Sequence, residues 1–358
     1  MLPYYVVLFH TSIILLFSLV IPAHQQRWFA SYCIFIMAIY AAVRGYNGTD
    51  TYSYHVMFYE FSETTFIESI KAIEPLFYFL LKLTSLFTSN SFAFTALVSL
   101  VQAAILFQLV KTSKSPAEFL LIFIAVFYID FEFNILRAGT AVMLIILASR
   151  YADSISKMKF YGFGLIAVLF HYTAIIGLLY LTYVAEKRFW TRMLLLVGIL
   201  IIGGIGFYYS LDSARLGKLI YYVLNIERAS ALSAGVGFYA AQVLYFFIYM
   251  ATVNKRNFLS QTFLFLVLLW LAWATLRFES VDRIRIVFNA IFLTQCIEMD
   301  LANWRRSVRR ISIIGVVVLG LYGNLTIINT VSKSTELDYF HSKSPYIPYR
   351  FFWQERPL

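Results

Sequence analysis

The chain has 358 residues, 61% of them hydrophobic, 19% aromatic and 13% charged, with a net charge of +10. A soluble domain carries roughly a quarter charged residues, so this composition excludes a soluble globular protein and points to a polytopic helical membrane protein. The positive charge lies in short basic turns between apolar runs, which is loop bias of a membrane protein and not a nucleic-acid signature.

In chain order, residues 4–21 and 28–43 are apolar spans joined by a short turn holding Arg27. The first lacks a basic leader and a small-residue cleavage site, so it is expected to be retained. Residues 44–74 are polar and carry Arg44, Asp50, Glu60, Glu63, Glu68, Lys71 and Glu74. Pro75, preceded by Glu74, predicts a helix start, but the run that follows is short for a span. Residues 91–110, 116–129 and 135–149 are further candidate spans, with Asp130, Glu132 and Asn134 between the last two and Arg137 near the start of the last.

Residues 150–159 are basic; 160–184 are apolar but interrupted by His171-Tyr172-Thr173. A second basic turn, 186–192, precedes a span at 193–209. Residues 210–237 place Leu216, Leu219, Ile220 and Val223 at helical spacing, which predicts an amphipathic surface helix. Spans at 238–253 and 258–276 flank the basic turn 254–257. Arg277, Glu279, Asp282, Arg283 and Arg285 head the next apolar run, to residue 297. Residues 303–310 read as the most basic loop, 311–331 as the last span and 332–358 as a tail.

Placing the basic turns in the cytoplasm requires 160–184 to be two short helices with His171 at their outer turn, and 75–90 to be re-entrant. The expected fold is therefore all-α: one polytopic membrane domain over 1–331, with 11–12 transmembrane helices and short or re-entrant helices lining an outward-facing cavity. Its outer-face parts are a loop and short helix at 44–90, the amphipathic segment 210–237 and the tail 332–358. That arrangement puts Arg44, Asp50, Arg137, His171, Arg277, Arg283 and Arg285 at or just inside the outer face. An unpaired cation near hydrocarbon costs about 2.5 kcal/mol or more, so these arginines need anions. Asp130, Glu132, Glu279 and Asp282 can neutralise some of them; a phosphate or pyrophosphate head group is the functional alternative. His171 is either a packed residue or a proton acceptor suited to neutral pH. Histidines 10, 24, 55, 171 and 341 show no ligand spacing, and no nucleotide or hydrolase fingerprint occurs. Cys33 and Cys296 fall within spans and suggest neither a disulfide nor a metal site.

The segment Arg44-Gly45-Tyr46-Asn47-Gly48-Thr49-Asp50-Thr51-Tyr52-Ser53-Tyr54 resembles the first motif of the EpsG-like, Wzy-type polysaccharide polymerases. Glu74-Pro75-Leu76-Phe77, Asn134-Ile135-Leu136-Arg137, Phe170-His171-Tyr172-Thr173-Ala174, Asp282-Arg283-Ile284-Arg285 and Tyr346-Ile347-Pro348-Tyr349 are similar to later motifs, in the same order. Ala138 departs from the pattern, where the family often has glutamine. The resemblance implies a glycosyltransferase that joins oligosaccharide repeats carried on undecaprenyl pyrophosphate, at the periplasmic face of a bacterial inner membrane. It implies His171, Arg137 and Asp50 as catalytic residues, and Arg44, Arg277, Arg283, Arg285, Tyr54, Glu74 and Tyr172 as binding residues, with no metal and no cofactor. Expected partners are the lipid-linked donor and acceptor, the bilayer, a chain-length regulator and a flippase. A glycan ligase using the same donor, a lipid-oligosaccharide flippase and a non-enzymatic assembly subunit are the competing readings.

Overall fold

The computed structural model describes residues 2–48, 50–69, 72–152, 157–185, 236–253, 258–275 and 280–330, with residue 351 and single positions between 190 and 201. Within them the regular secondary structure is helical, apart from an isolated antiparallel bridge between Arg44 and Phe351. The expected amphipathic helix at 210–237, Arg277 and the rest of the tail lie outside the described residues.

The first helices are α1 (Leu2–Ser18), α2 (Ala23–Ala42), α3 (Thr51–Ser62), α4 (Phe66–Ser69), α5 (Pro75–Ser85) and α6 (Ser91–Thr112). After α7 (Pro116–Ile122) the backbone widens into π-helical turns at Phe123–Phe127 and Asp130–Asn134 before α8 (Leu136–Ser149) begins. Then come α9 (Lys157–Phe170), α10 (Ala174–Ala185), α11 (Val236–Thr252), α12 (Phe258–Thr275), α13 (Ser280–Ile297) and α14 (Asn303–Thr330). Pro75 occupies the first position of α5, where a missing N–H costs nothing. With 11 residues that helix is about 16 Å long, half the thickness of a hydrocarbon core. The break between α9 and α10 falls at His171–Thr173, where the polar triplet interrupts the apolar run.

α6 and residues Asn303–Thr326 of α14 are long and apolar enough to cross a membrane, and shorter apolar helices accompany them. Large apolar side chains face outward, among them Trp28 at 78% exposure and Val20 at 87%. Water would penalise such surfaces, whereas lipid does not; this is the make-up of a membrane protein.

Two compact units divide the chain. The first comprises Met1–Thr65, Phe79–Gly139 and Ile313–Leu358; in it α2 packs on α1, α6 and α7, and α3 lies on α6. The second comprises Phe66–Tyr78 and Thr140–Ser312; α10 packs on α9 and α13, and α12 on α11 and α13.

Two polar stretches are more ordered than their hydropathy implies. Within 44–74, Thr51, Tyr54, His55 and Phe58 are buried at i, i+3, i+4 and i+7, so α3 is an amphipathic helix whose inner face is partly polar. His55 Nδ1 lies 2.8 Å from Ser91 Oγ on α6, and the Phe58 and Phe94 rings pack at 5.9 Å. Residues 303–310, expected as a loop, form the first turns of α14. Their arginines turn toward the C-terminal carbonyls of neighbouring helices. Arg309 is 2% exposed, with Nη1 at 3.1, 2.9 and 2.9 Å from the carbonyl oxygens of Cys296, Ile297 and Met299 at the end of α13. Arg305 Nη2 donates to Val253 O at 2.6 Å, beyond α11. A cation there satisfies orphan carbonyls and complements the helix dipole. Arg309→Ala strips these carbonyls of their donor and is expected to destabilise the protein by about 1–3 kcal/mol. Thermal unfolding in detergent checks this: the midpoint should fall by several degrees, and an unchanged midpoint would remove Arg309 from the capping role.

Candidate functional site

A π-helical turn shifts carbonyls away from their usual i+4 donors, so its backbone must be satisfied from elsewhere. In the first unit, side chains do this between Phe131 and Leu136. Gln102 of α6 places Nε2 at 3.1 Å from both Phe131 O and Leu136 O, using its two hydrogens on two carbonyls. Arg44 Nη1 donates to Glu132 O. The Thr51 hydroxyl lies 2.9 Å from Phe133 O and 2.6 Å from Asn47 O, sharing one proton between them. Tyr54 donates to Asn134 O at 3.2 Å, while Ile135 N–H closes on Asp130 O at 2.7 Å. Gly48 adopts φ +112, and a Cβ there would sit 2.0 Å from Phe133 O; only glycine permits that backbone and that approach. The 44–54 stretch is thus a set of donors fitted to one widened turn, with α8 and Arg137 following directly.

Arg44 is fully buried. Its guanidinium lies 5.1 Å from the Phe133 ring centroid and 3.4 Å from Ser99 Oγ. Near it, burial pushes the Glu132 carboxyl up to about 8, against the opposing pulls of Arg44 and the Ser99 hydroxyl. Burial, assisted by Arg44, pushes the His55 imidazole down to about 3, so it stays neutral. Arg137 sits one residue into α8 and bears on the Tyr54 hydroxyl; burial, assisted by Asp50, outweighs the pull of Arg137 and raises that hydroxyl's pKa. Asp50 precedes α3 and accepts the Tyr54 N–H through its carbonyl, at 3.3 Å. Arg44, Asp50, Tyr54 and Arg137, drawn from two separate motifs, therefore share one neighbourhood. Ser99, Gln102 and Glu132 belong to it as well. Glu132 had entered only as a neutralising acid, and Ser99 and Gln102 gave no sequence signal within an apolar run.

In the second unit, Glu74 and His171 come together. His171 Nδ1 lies 2.6 Å from Glu74 Oε1, and both side chains are buried. Tyr172 occupies the adjoining turn and is half-buried. Arg285, on α13, acts electrostatically on Tyr245, which also bonds to Asn289. Arg283 lies on α13, and its side chain is outside the described residues, as is all of Arg277. Among the described residues no three His, Cys, Asp or Glu side chains come together as a metal-binding group.

These features define a helical membrane protein with buried polar clusters built on short or interrupted helices. The EpsG family model matches residues 27–351, and the chain belongs to that family. Membership supports a role of polysaccharide-polymerase type. No curated protein and no solved structure matches the chain.

The widened turn gives a direct test. Gln102→Leu keeps the side-chain volume but removes both amide donors. It is expected to cost about 1–3 kcal/mol for each carbonyl left bare, read as a lower thermal midpoint in detergent. A midpoint equal to wild type would show that the turn does not depend on Gln102.

Proposed function

We propose that the chain is a membrane glycosyltransferase that polymerises oligosaccharide repeat units carried on undecaprenyl pyrophosphate, at the periplasmic face of the bacterial inner membrane. Family membership supports the polymerase class. The observation that carries the chemistry is His171, a buried imidazole at a break between two helices, whose Nε2 has no hydrogen-bond partner among the described residues.

In the proposed reaction a hydroxyl oxygen of the acceptor repeat attacks the anomeric carbon of the donor glycan. The bond from that carbon to the pyrophosphate oxygen breaks, and its electron pair leaves with the pyrophosphate. The hydroxyl proton passes to His171 Nε2. Arg137 binds the departing pyrophosphate, joined by Arg277, Arg283 and Arg285. Preorganised donors of this kind are worth roughly 3 kcal/mol each where charge develops. Asp50 orients an acceptor hydroxyl. Tyr54 ties Arg137 to the widened turn, and Tyr172 offers a ring beside the histidine for a sugar face. Full burial suits Arg44 better to holding residue 132 than to gripping substrate. The arginines take the part that a divalent cation plays in other sugar transferases.

Three measurements decide this, all on purified protein in liposomes supplied with lipid-linked repeats extracted from a deletion strain. His171→Ala should lower turnover by about 100-fold or more, and Arg137→Lys by about 10-fold or more, because an ammonium cannot reproduce the bidentate fork. Wild-type rates in either variant would remove that residue from its role. EDTA is expected to leave polymer formation unchanged; its loss in chelator, restored by a divalent cation, would defeat the metal-independent mechanism.

A further inference from the structure

We propose that Glu74 is the positioning residue of the base: its carboxylate holds the His171 ring so that Nδ1 carries the proton and Nε2 is the open acceptor. This rests on the reading of His171 as the proton acceptor, and it moves Glu74 from the substrate-binding role expected from the sequence.

The backbone fixes both partners first. Glu74 directly precedes Pro75 at the start of α5, and its carbonyl accepts Tyr78 N–H at 2.9 Å. His171 closes α9 through its N–H to Ala167 O at 3.0 Å, and its own carbonyl accepts Ala174 N–H at 3.0 Å. Neither side chain lies on a long mobile loop, and the 2.6 Å contact joins two anchored positions 97 residues apart.

The chemistry of the contact sets the tautomer. An ionised carboxylate only accepts, so the hydrogen in the Nδ1–Oε1 bond belongs to the ring, and in the neutral ring Nε2 then carries the lone pair. That Nε2 is buried and has no hydrogen-bond partner among the described residues. A buried polar atom left unmade costs about 1–3 kcal/mol, and a histidine serving only packing normally has both nitrogens engaged. The geometry points to a position kept for a proton donor, and an incoming sugar hydroxyl is one. Once Nε2 takes that proton, the ring becomes a cation against a carboxylate in surroundings of low dielectric, where attraction is stronger than in water. Glu74 thereby supports the charged form without touching substrate.

The test reads the ring directly. In 15N-histidine-labelled protein in lipid nanodiscs, with the His171 signals assigned by His171→Ala, the resting enzyme should show a protonated Nδ1 and an unprotonated Nε2 at neutral pH. Glu74→Ala should scramble the tautomers. Glu74→Gln, whose amide oxygen still accepts from Nδ1, should keep them. With the extracted lipid-linked repeats both variants should lower kcat by about 10-fold or more while KM stays within about 2-fold, the pattern of an interaction made in the transition state. A proton on Nε2 in the wild type overturns the proposal, as does a raised KM with unchanged kcat, the mark of a sugar ligand. Should His171→Ala retain full turnover, the base reading fails by itself, and the ring tautomer still decides whether Glu74 orients the imidazole.

Discussion

The first unit depends on satisfying the carbonyls of a backbone that has left regular α-helical geometry. Between Phe131 and Leu136 the widened chain presents oxygens that an α-helix would have paired internally, and Gln102, Arg44, Thr51 and Tyr54 supply the missing donors. The donors come from α3, from α6 and from the residue two beyond α2, so satisfying all of them ties α3 and α6 to the backbone around residue 134. Arg137 follows three residues later, and its position is set by that agreement. The same device recurs upstream, where Asn324 Nδ2 of α14 donates to Ala125 O at 2.9 Å within the earlier π-helical turn. A widened turn held at so many points is rigid, and rigidity is what a charged side chain needs if it is to meet an anion without reorganising.

Much of the helical plan was legible in the sequence, because runs of apolar residues dictate helices in lipid whatever their partners. The break at His171–Thr173 and the start at Pro75 were also legible, since three polar residues in an apolar run and a proline after an acid act locally. What was not legible depends on partners far along the chain. Hydropathy reads 44–74 as loop, yet Thr51 and His55 stand on the inner face of α3 because their hydrogen bonds are met by Phe133 and by Ser91. Basic residues 303–310 read as a solvated turn, yet Arg305 and Arg309 reach the ends of α11 and α13. Charge patterning reports where cations gather; it carries no information on which carbonyl will receive them.

The candidate site shows the same division. Motif order placed Arg44, Asp50, Tyr54, Glu74, Arg137 and His171 among the functional residues, but the sequence had no means of sorting them by task. Glu74 and Asp50 are both acids next to aromatic residues, and by composition either can face a sugar. Their surroundings separate them: Glu74 is 3% exposed and bonded to an imidazole, whereas Asp50 stands half-buried at the head of α3 and bears on the Tyr54 hydroxyl. Gln102 and Ser99 were invisible because an amide or hydroxyl within an apolar helix resembles any other polar interruption until its partner is known.

Two answers were open for the arginines expected at the outer face, neighbouring acids or an anionic ligand. Arginines of the basic turns and of the outer face alike are engaged by the fold itself. Arg150 is paired to Glu298 at 2.7 Å, Arg309 lies over the end of α13, and Arg44 is turned inward onto Glu132 O and the Phe133 ring. A count of arginines therefore overstates how much charge a ligand must answer. Arg137, in the first turn of α8, and Arg285, half-buried on α13, have neighbours of their own, Arg137 bearing on the Tyr54 hydroxyl and Arg285 on Tyr245. An arginine held in partly dry surroundings is less hydrated than one in water, so in the proposed reaction an arriving phosphate would displace less solvent and gain more from the contact. Under that proposal the inward-turned Arg44 would act at one remove, through its hold on Glu132 O in the widened turn that precedes Arg137.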